Sequence, residues 1–149
     1  MAQTYRLGFL RRSANVLVRG LLALNVPLPH TYLLAVRGRQ TGVLRKTPVT
    51  LVETGRDRYL VAPYGEVNWV RNARAAGEVQ LKRRNRWETA RITELSPQEA
   101  APILKTYLTD VAIVRPFFDV TPKSSLADFE REAPRHPVFR ITTKAQSVA

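Results

Sequence analysis

Four cations, Arg37, Arg39, Arg45 and Lys46, surround Gly38 and Gly42 in the stretch from Val36 to Pro48, and no acid lies between Thr31 and Val52. Glycine permits backbone angles that other residues resist. A turn of this composition can therefore bring guanidinium forks and backbone N–H groups to one point, which is the chemistry of an anion cradle. The same residues also suit a solvated hairpin tip carrying like charges, and local composition does not separate the two.

A second constellation follows, Ala62-Pro63-Tyr64-Gly65 with Asn68-Trp69-Val70-Arg71-Asn72-Ala73-Arg74. A strand ends here and a helix begins, with Asn68 expected to cap it. The start of a helix offers free N–H groups to anions and to polar ring edges. Trp69 is either the wall of a site for an aromatic ligand or an anchor in the core beneath the helix. A third cluster, Lys82, Arg83, Arg84 and Arg86 beside Trp87, reads as the solvated face of a hairpin or as a base-stacking platform. No recognition helix or nucleic-acid motif accompanies it, so nucleic acid is the disfavoured partner.

Several other chemistries lack their residues. There is no cysteine. The two histidines, His30 and His136, lie far apart and each neighbours a proline, Pro29 or Pro137. Nothing resembles a catalytic zinc set, and no metal is expected. Gly38 to Gly42 lacks the third glycine of a dinucleotide fingerprint, and Leu44-Arg45 before Lys46 does not match a phosphate loop. No serine sits in a nucleophile elbow. Binding chemistry remains.

The elements that must position these residues can be read from periodicity. The chain has 149 residues, 44% of them hydrophobic, which suits one domain with an ordinary core. Its formal net charge of +12 favours an anionic partner: nucleic acid, lipid headgroups or a phosphorylated cofactor. Leu7, Leu10, Ala14, Leu17, Leu21 and Leu24 form one stripe, which predicts a leading helix over Thr4–Leu24. That helix either packs on the domain's own sheet or touches an anionic membrane surface. Strands are expected at Thr31–Arg37, Thr47–Glu53, Arg58–Ala62, Glu78–Arg83, Trp87–Glu94 and Pro137–Thr142. A helix over Trp69–Ala76 ends at Gly77. Ser96-Pro97-Gln98-Glu99 is a capping box that starts a helix running to Leu108. Ser125 with Asp128 starts another short one, while Val111 to Val120 stays ambiguous. Strands joined by short turns exclude a doubly wound sheet and fit a small closed or half-closed barrel. The expected organisation is residues 1–28 as the amphipathic helix, 29–143 as the barrel and 144–149 as a tail. No apolar run matches a secretory signal or a spanning helix, so a cytoplasmic protein, peripheral to the inner face of the membrane at most, is expected.

Gly38-Arg39-Gln40-Thr41-Gly42, then Arg45, then Thr47-Pro48, resembles the signature of the deazaflavin-dependent nitroreductase family. So does Trp69-Val70-Arg71-Asn72, followed by Arg74 and the strand at Val79. The resemblance covers roughly Tyr32 to Leu108. It implies an α+β fold: a split, FMN-binding-like, antiparallel six-stranded β-barrel with an N-terminal amphipathic helix and short peripheral helices. It also implies coenzyme F420, an 8-hydroxy-5-deazaflavin. Arg39, Gln40 and Thr41 would meet the coenzyme's phosphate and acidic tail. Arg45, Lys46, Thr47, Pro48, Val49 and Thr50 would run beneath the tail and ring system. Ala62, Pro63, Tyr64 and Gly65 would border the ring, and Asn68, Trp69, Val70, Arg71 and Asn72 would close the other side. Tyr64 or Tyr107 would donate to the anion that hydride transfer creates on a substrate.

The chain departs from that family in places. The Tyr64–Asn68 loop is shorter than usual, and Tyr64 stands where a small hydroxyl residue is common. Val111, Val114, Phe117 and Phe118 replace the family's late aromatic residues. The reading that results is a deazaflavin-dependent oxidoreductase acting on a small apolar quinone, nitro compound or activated alkene, with a homodimer allowed. Its rivals are a non-catalytic carrier of the coenzyme or of a fatty acid, a basic nucleic-acid-binding domain, and an FMN enzyme on the same barrel.

Overall fold

The computed structural model describes residues 30–143; the leading helix expected over Thr4–Leu24 and the tail expected over 144–149 lie outside them. Strand β1, Thr31–Arg37, and strand β2, Leu44–Thr54, pair antiparallel from Thr31↔Thr50 to Arg37↔Leu44. β2 is longer than its apolar run predicts. The ladder continues through Arg45 and Lys46, charged residues that alternate across the strand like any others. Gly55, at φ 59, turns β2 into β3, Asp57–Val61.

Helix α1, Asn68–Ala76, follows. Its N-cap is Val67 without a side-chain cap bond, so Asn68 is the first helical residue rather than the cap. Gly77 ends the helix in the left-handed region, its N–H reaching the Ala73 carbonyl at 2.8 Å. β4, Glu78–Arg83, and β5, Arg86–Glu94, form a hairpin through Arg84 and Asn85, both at positive φ. Helix α2, Pro97–Asp110, opens on the expected capping box of Ser96 and Glu99. A 3-10 segment, Ala112–Phe117, accommodates Pro116 and resolves the ambiguous stretch. Helix α3, Leu126–Glu132, is capped by Ser125, which accepts from the Asp128 N–H. After a short 3-10 turn, Ala133–Arg135, strand β6, Val138–Thr143, completes the sheet.

The strands close into one antiparallel barrel in the order β1-β2-β3-β6-β5-β4. Chain neighbours pair except β3 and β4: β3 pairs with β6, and β4 closes the barrel against β1. Alternation along each strand makes two cores. Leu34, Leu60, Leu81 and Phe139 fill the barrel together with Val70 and Ala73 of α1. Outside it, Val52, Val61 and Val138 pack against Leu104 and Leu108 of α2 and Phe129 of α3. Each of the fully buried leucines contributes on the order of 2 kcal/mol of apolar transfer. Among the described residues no helix is long and apolar enough to cross a membrane. None of their His, Cys, Asp or Glu groups forms a set of three able to hold a metal.

Candidate functional site

The β1–β2 turn is tight. Gly38 N–H donates to the Val43 carbonyl at 2.8 Å, and Gly42 N–H donates to the Gly38 carbonyl at 2.9 Å. A Cβ on Gly38 would stand 2.8 Å from Thr41 Oγ1 and 3.3 Å from the Val43 carbonyl oxygen, so a side chain there would force the Thr41 hydroxyl aside. Thr41 Oγ1 accepts from the Val43 N–H at 3.2 Å, and Arg37 Nη1 donates to the Gly42 carbonyl at 2.8 Å. Both of these residues serve the turn itself. Arg39 is tied to α1 instead. Its backbone N–H and its guanidinium Nη1 both donate to Asn72 Oδ1. Gln40 is exposed at the tip.

Below the turn a cavity of about 650 Å³ opens between β2 and the start of α1. Arg45, Lys46 and Thr47 line it from β2, Leu34 and Val36 from β1, and Asn68, Trp69 and Asn72 from α1. Among the described residues Arg45 and Lys46 have no carboxylate partner, and the first turn of α1 carries no acid. The one acid on the lining, Glu66, is bound by Arg74, whose hydrogen bond and charge hold the carboxyl below its usual range. Arg74 also grips Glu94 through two 2.8 Å bonds, and these pairings raise the guanidinium further above its ordinary value. The cavity therefore carries two cations without a carboxylate partner, Lys46 with its Nζ 5.6 Å from the Trp87 ring centroid, beside a helix start with no side-chain cap.

A second cavity, of about 180 Å³, continues along β2. Pro48, Val49 and Thr50 line it, with Pro63, Val111, Val114 and Tyr107 opposite. Tyr64 and Trp69 line both cavities and stand where they meet. Trp69 is also packed against the barrel core, tilted over Phe139 at 6.4 Å between centroids, so it serves as wall and anchor together. Tyr64 meets Phe117 edge-on at 4.9 Å. Tyr107 is buried, and burial, reinforced by Tyr64, pushes its phenol well above the ordinary range. It is a donor at any physiological pH, not a base.

The structure thus gathers Arg45 to Thr50, Pro63, Tyr64, Asn68, Trp69, Asn72 and Tyr107 onto one groove. Ala62 and Val70 are buried in the core, Arg71 is exposed on α1, and Gly65 lies in the turn after Pro63. These four do not line either cavity, and neither do Arg39, Gln40 and Thr41 of the turn, which the resemblance places at the coenzyme's phosphate and tail. Residues of the groove that sequence reasoning passed over include Leu34, Val36, Val67 and Ile113. Leu34 and Val36 are legible only once the β1–β2 register is known. Ile113 lies in the segment whose periodicity is broken by Pro116.

The family model for F420H(2)-dependent quinone reductase matches residues 11–114. Curated proteins yield no match. Among solved structures the chain is similar to an F420-H2 dependent reductase, at 20% identity and a TM-score of 0.50, covering 75% of this chain and 93% of that one. It is similar to a Listeria innocua protein proposed to be a pyridoxamine 5'-phosphate oxidase, at 13% identity and a TM-score of 0.54, covering 86% and 94%. A protein of unknown function from Agrobacterium tumefaciens gives a TM-score of 0.58 at 12% identity, covering 78% of this chain. The chain spans about half of that protein's length, 49%. At these identities the likeness is one of fold, and the fold is the split barrel of flavin and deazaflavin oxidoreductases.

Proposed function

The chain belongs to the F420H(2)-dependent quinone reductase family, and on that premise we propose that it transfers a hydride between reduced coenzyme F420 and a small apolar acceptor, a quinone first, with nitro compounds and activated alkenes as alternatives. One observation carries this reading. A cationic cavity and an apolar cavity meet at Tyr64 and Trp69. A flat ring with a polyanionic tail suits the first, and an uncharged acceptor suits the second.

The residues present fit the coenzyme. Arg45 and Lys46 offer charge to its acidic end, and the start of α1, which has no side-chain cap, offers N–H groups. Leu34, Val36 and Trp69 offer apolar surface to a ring. When bound in its reduced form, the coenzyme would supply a hydride, which carries both electrons of the reduction. Every other contribution is the chain's own. Tyr64 and Tyr107 each hold a phenol proton at Oη on the wall of the smaller cavity, where it can be donated to a substrate oxygen that gains negative charge. Val49, Val111 and Val114 keep that wall apolar and exclude water. Arg39, held by Asn72, fixes the turn above the cationic cavity.

Charge reversal tests the reading. Arg45→Glu with Lys46→Glu should weaken coenzyme F420 binding by at least about tenfold, read by quenching of tryptophan fluorescence. An unchanged dissociation constant would overturn it. Steady oxidation of reduced coenzyme by menadione separates an enzyme from a non-catalytic carrier.

A further inference from the structure

Glu132 and His136 lie behind the site and belong to neither cavity. Both are almost completely buried, at 5% and 3% exposure. His136 Nε2 stands 2.7 Å from Glu132 Oε2, and His136 Nδ1 stands 2.8 Å from the carbonyl oxygen of Pro63, 73 residues away in the chain. Phe118 stacks on the imidazole at 3.7 Å, within 11° of parallel. We propose that the Glu132–His136 pair is a positioning element of the site: it grips the Pro63 carbonyl and so fixes where the Pro63-Tyr64-Gly65 turn presents Tyr64 to the two cavities. This rests on the reading of the site given above.

A neutral imidazole has one N–H and one acceptor nitrogen. Burial opposes charging His136 and pulls it below the ordinary imidazole range, with Arg135 acting the same way. The Glu132 carboxylate and the Pro63 carbonyl act against that. The Pro63 carbonyl can only accept, so Nδ1 carries the proton of the 2.8 Å contact, while Nε2 and Glu132 Oε2 share one proton across 2.7 Å. Glu132 is itself supported by the Asp119 backbone N–H at 3.2 Å and by Arg135 Nη1 at 3.6 Å.

Gly65 N–H donates to the Ala62 carbonyl at 3.3 Å. Gly65 has φ 87, and a Cβ there would stand 3.3 Å from the Arg135 carbonyl oxygen, so the turn presses directly against the segment that carries His136. Strands β3 and β6 are already joined through Val61↔Val138, and Ala62 N–H reaches the Pro137 carbonyl at 2.8 Å. The barrel is closed without the pair. A buried polar pair is a costly way to fill space; besides Phe118 and the Asp119 N–H, it reaches the Pro63 carbonyl in a distant stretch of the chain.

Two variants and one spectrum test this in the full chain. His136→Phe keeps the stack on Phe118 and removes both polar contacts. Glu132→Gln can donate its amide to Nε2 and leave Nδ1–H on Pro63. In His136→Phe, kcat with reduced coenzyme F420 and menadione should fall by about tenfold or more while coenzyme affinity stays within about twofold. Amide exchange at Tyr64 and Gly65 should rise in the unliganded protein. Glu132→Gln should retain both. Nitrogen NMR of labelled histidine should show Nδ1 of His136 protonated in the wild type. A wild-type ring with no proton on Nδ1 overturns the proposal even if His136→Phe does not fold. So does unchanged exchange in His136→Phe, or a Glu132→Gln defect as deep as that of His136→Phe. If the wild type binds no coenzyme, the functional reading fails alone, and the spectrum and exchange still decide the grip.

Discussion

Arg39 is bound to Asn72 twice, its backbone N–H at 3.1 Å and its guanidinium at 2.7 Å from the same oxygen. The contact joins the glycine turn to α1 across the mouth of the cationic cavity, and it places one residue of each basic or polar constellation in direct register. Asn72 is buried, so its oxygen is held in place for this role.

Asn72→Ala removes the acceptor and leaves two donors without it. The expected cost is about 1 kcal/mol of stability, measured by urea unfolding. Coenzyme affinity should fall with it, because the turn is no longer fixed to the helix. Asn72→Asp keeps an acceptor for Arg39 and should preserve stability better than alanine.

Tyr64 and Tyr107 share the apolar cavity but differ in burial, Tyr107 being enclosed and Tyr64 half-exposed where the cavities meet. Under the proposed reading, Tyr64→Phe should lower kcat by about tenfold with little change in coenzyme affinity. Tyr107→Phe should act in the same direction. Tyr107→Phe should not shift the alkaline limb of the pH–rate profile below pH 9, since burial keeps the Tyr107 phenol protonated there. Stopped-flow oxidation of the reduced coenzyme across pH checks both statements. Full activity in both variants would remove the tyrosines from the mechanism.

The capping box supplies a pH dependence whose sign is fixed by its geometry. The Ser96 N–H donates to Glu99 Oε1 at 3.0 Å, and that bond, with the Ser96 side chain, lowers the Glu99 carboxyl below its usual range. The folded state therefore binds the proton less readily than the unfolded chain. The stabilisation is present above the ordinary carboxylate range and is lost as pH falls through the folded value. Thermal unfolding of the wild type and of Glu99→Gln should diverge at neutral pH and converge in acid, with Glu99→Gln the less stable above the crossover.

Much of this barrel can be read directly from local chemistry. A continuous apolar run marks β1 and alternation marks β4, both residue for residue, Gly77 stops α1, and Ser96 with Glu99 starts α2. The reading falters where tertiary pairing outweighs composition. β2 extends back to Leu44 because β1 offers a ladder there, not because Arg45 and Lys46 favour strands. Asn68 looks like a cap, yet Val67 takes that position. The groove along β2 is half legible. Its basic end lies in one contiguous motif, whereas its apolar end is assembled from Pro48, Tyr107 and Val114, which only the fold brings together. His136 shows the limit most plainly. A histidine beside a proline carries no local signal, and its partner Glu132 is one of several acids on a short amphipathic helix. Only the return of the chain to Pro63 gives the pair a purpose.

The place of β6 between β3 and β5 bears on how the molecule is made. Until Val138–Thr143 has been synthesised, the other strands form an open sheet with two raw margins, β3 at one side and β5 at the other. Such margins recruit any extended chain within reach. A message cut short before Val138 would therefore yield a sticky half-product rather than a smaller working protein.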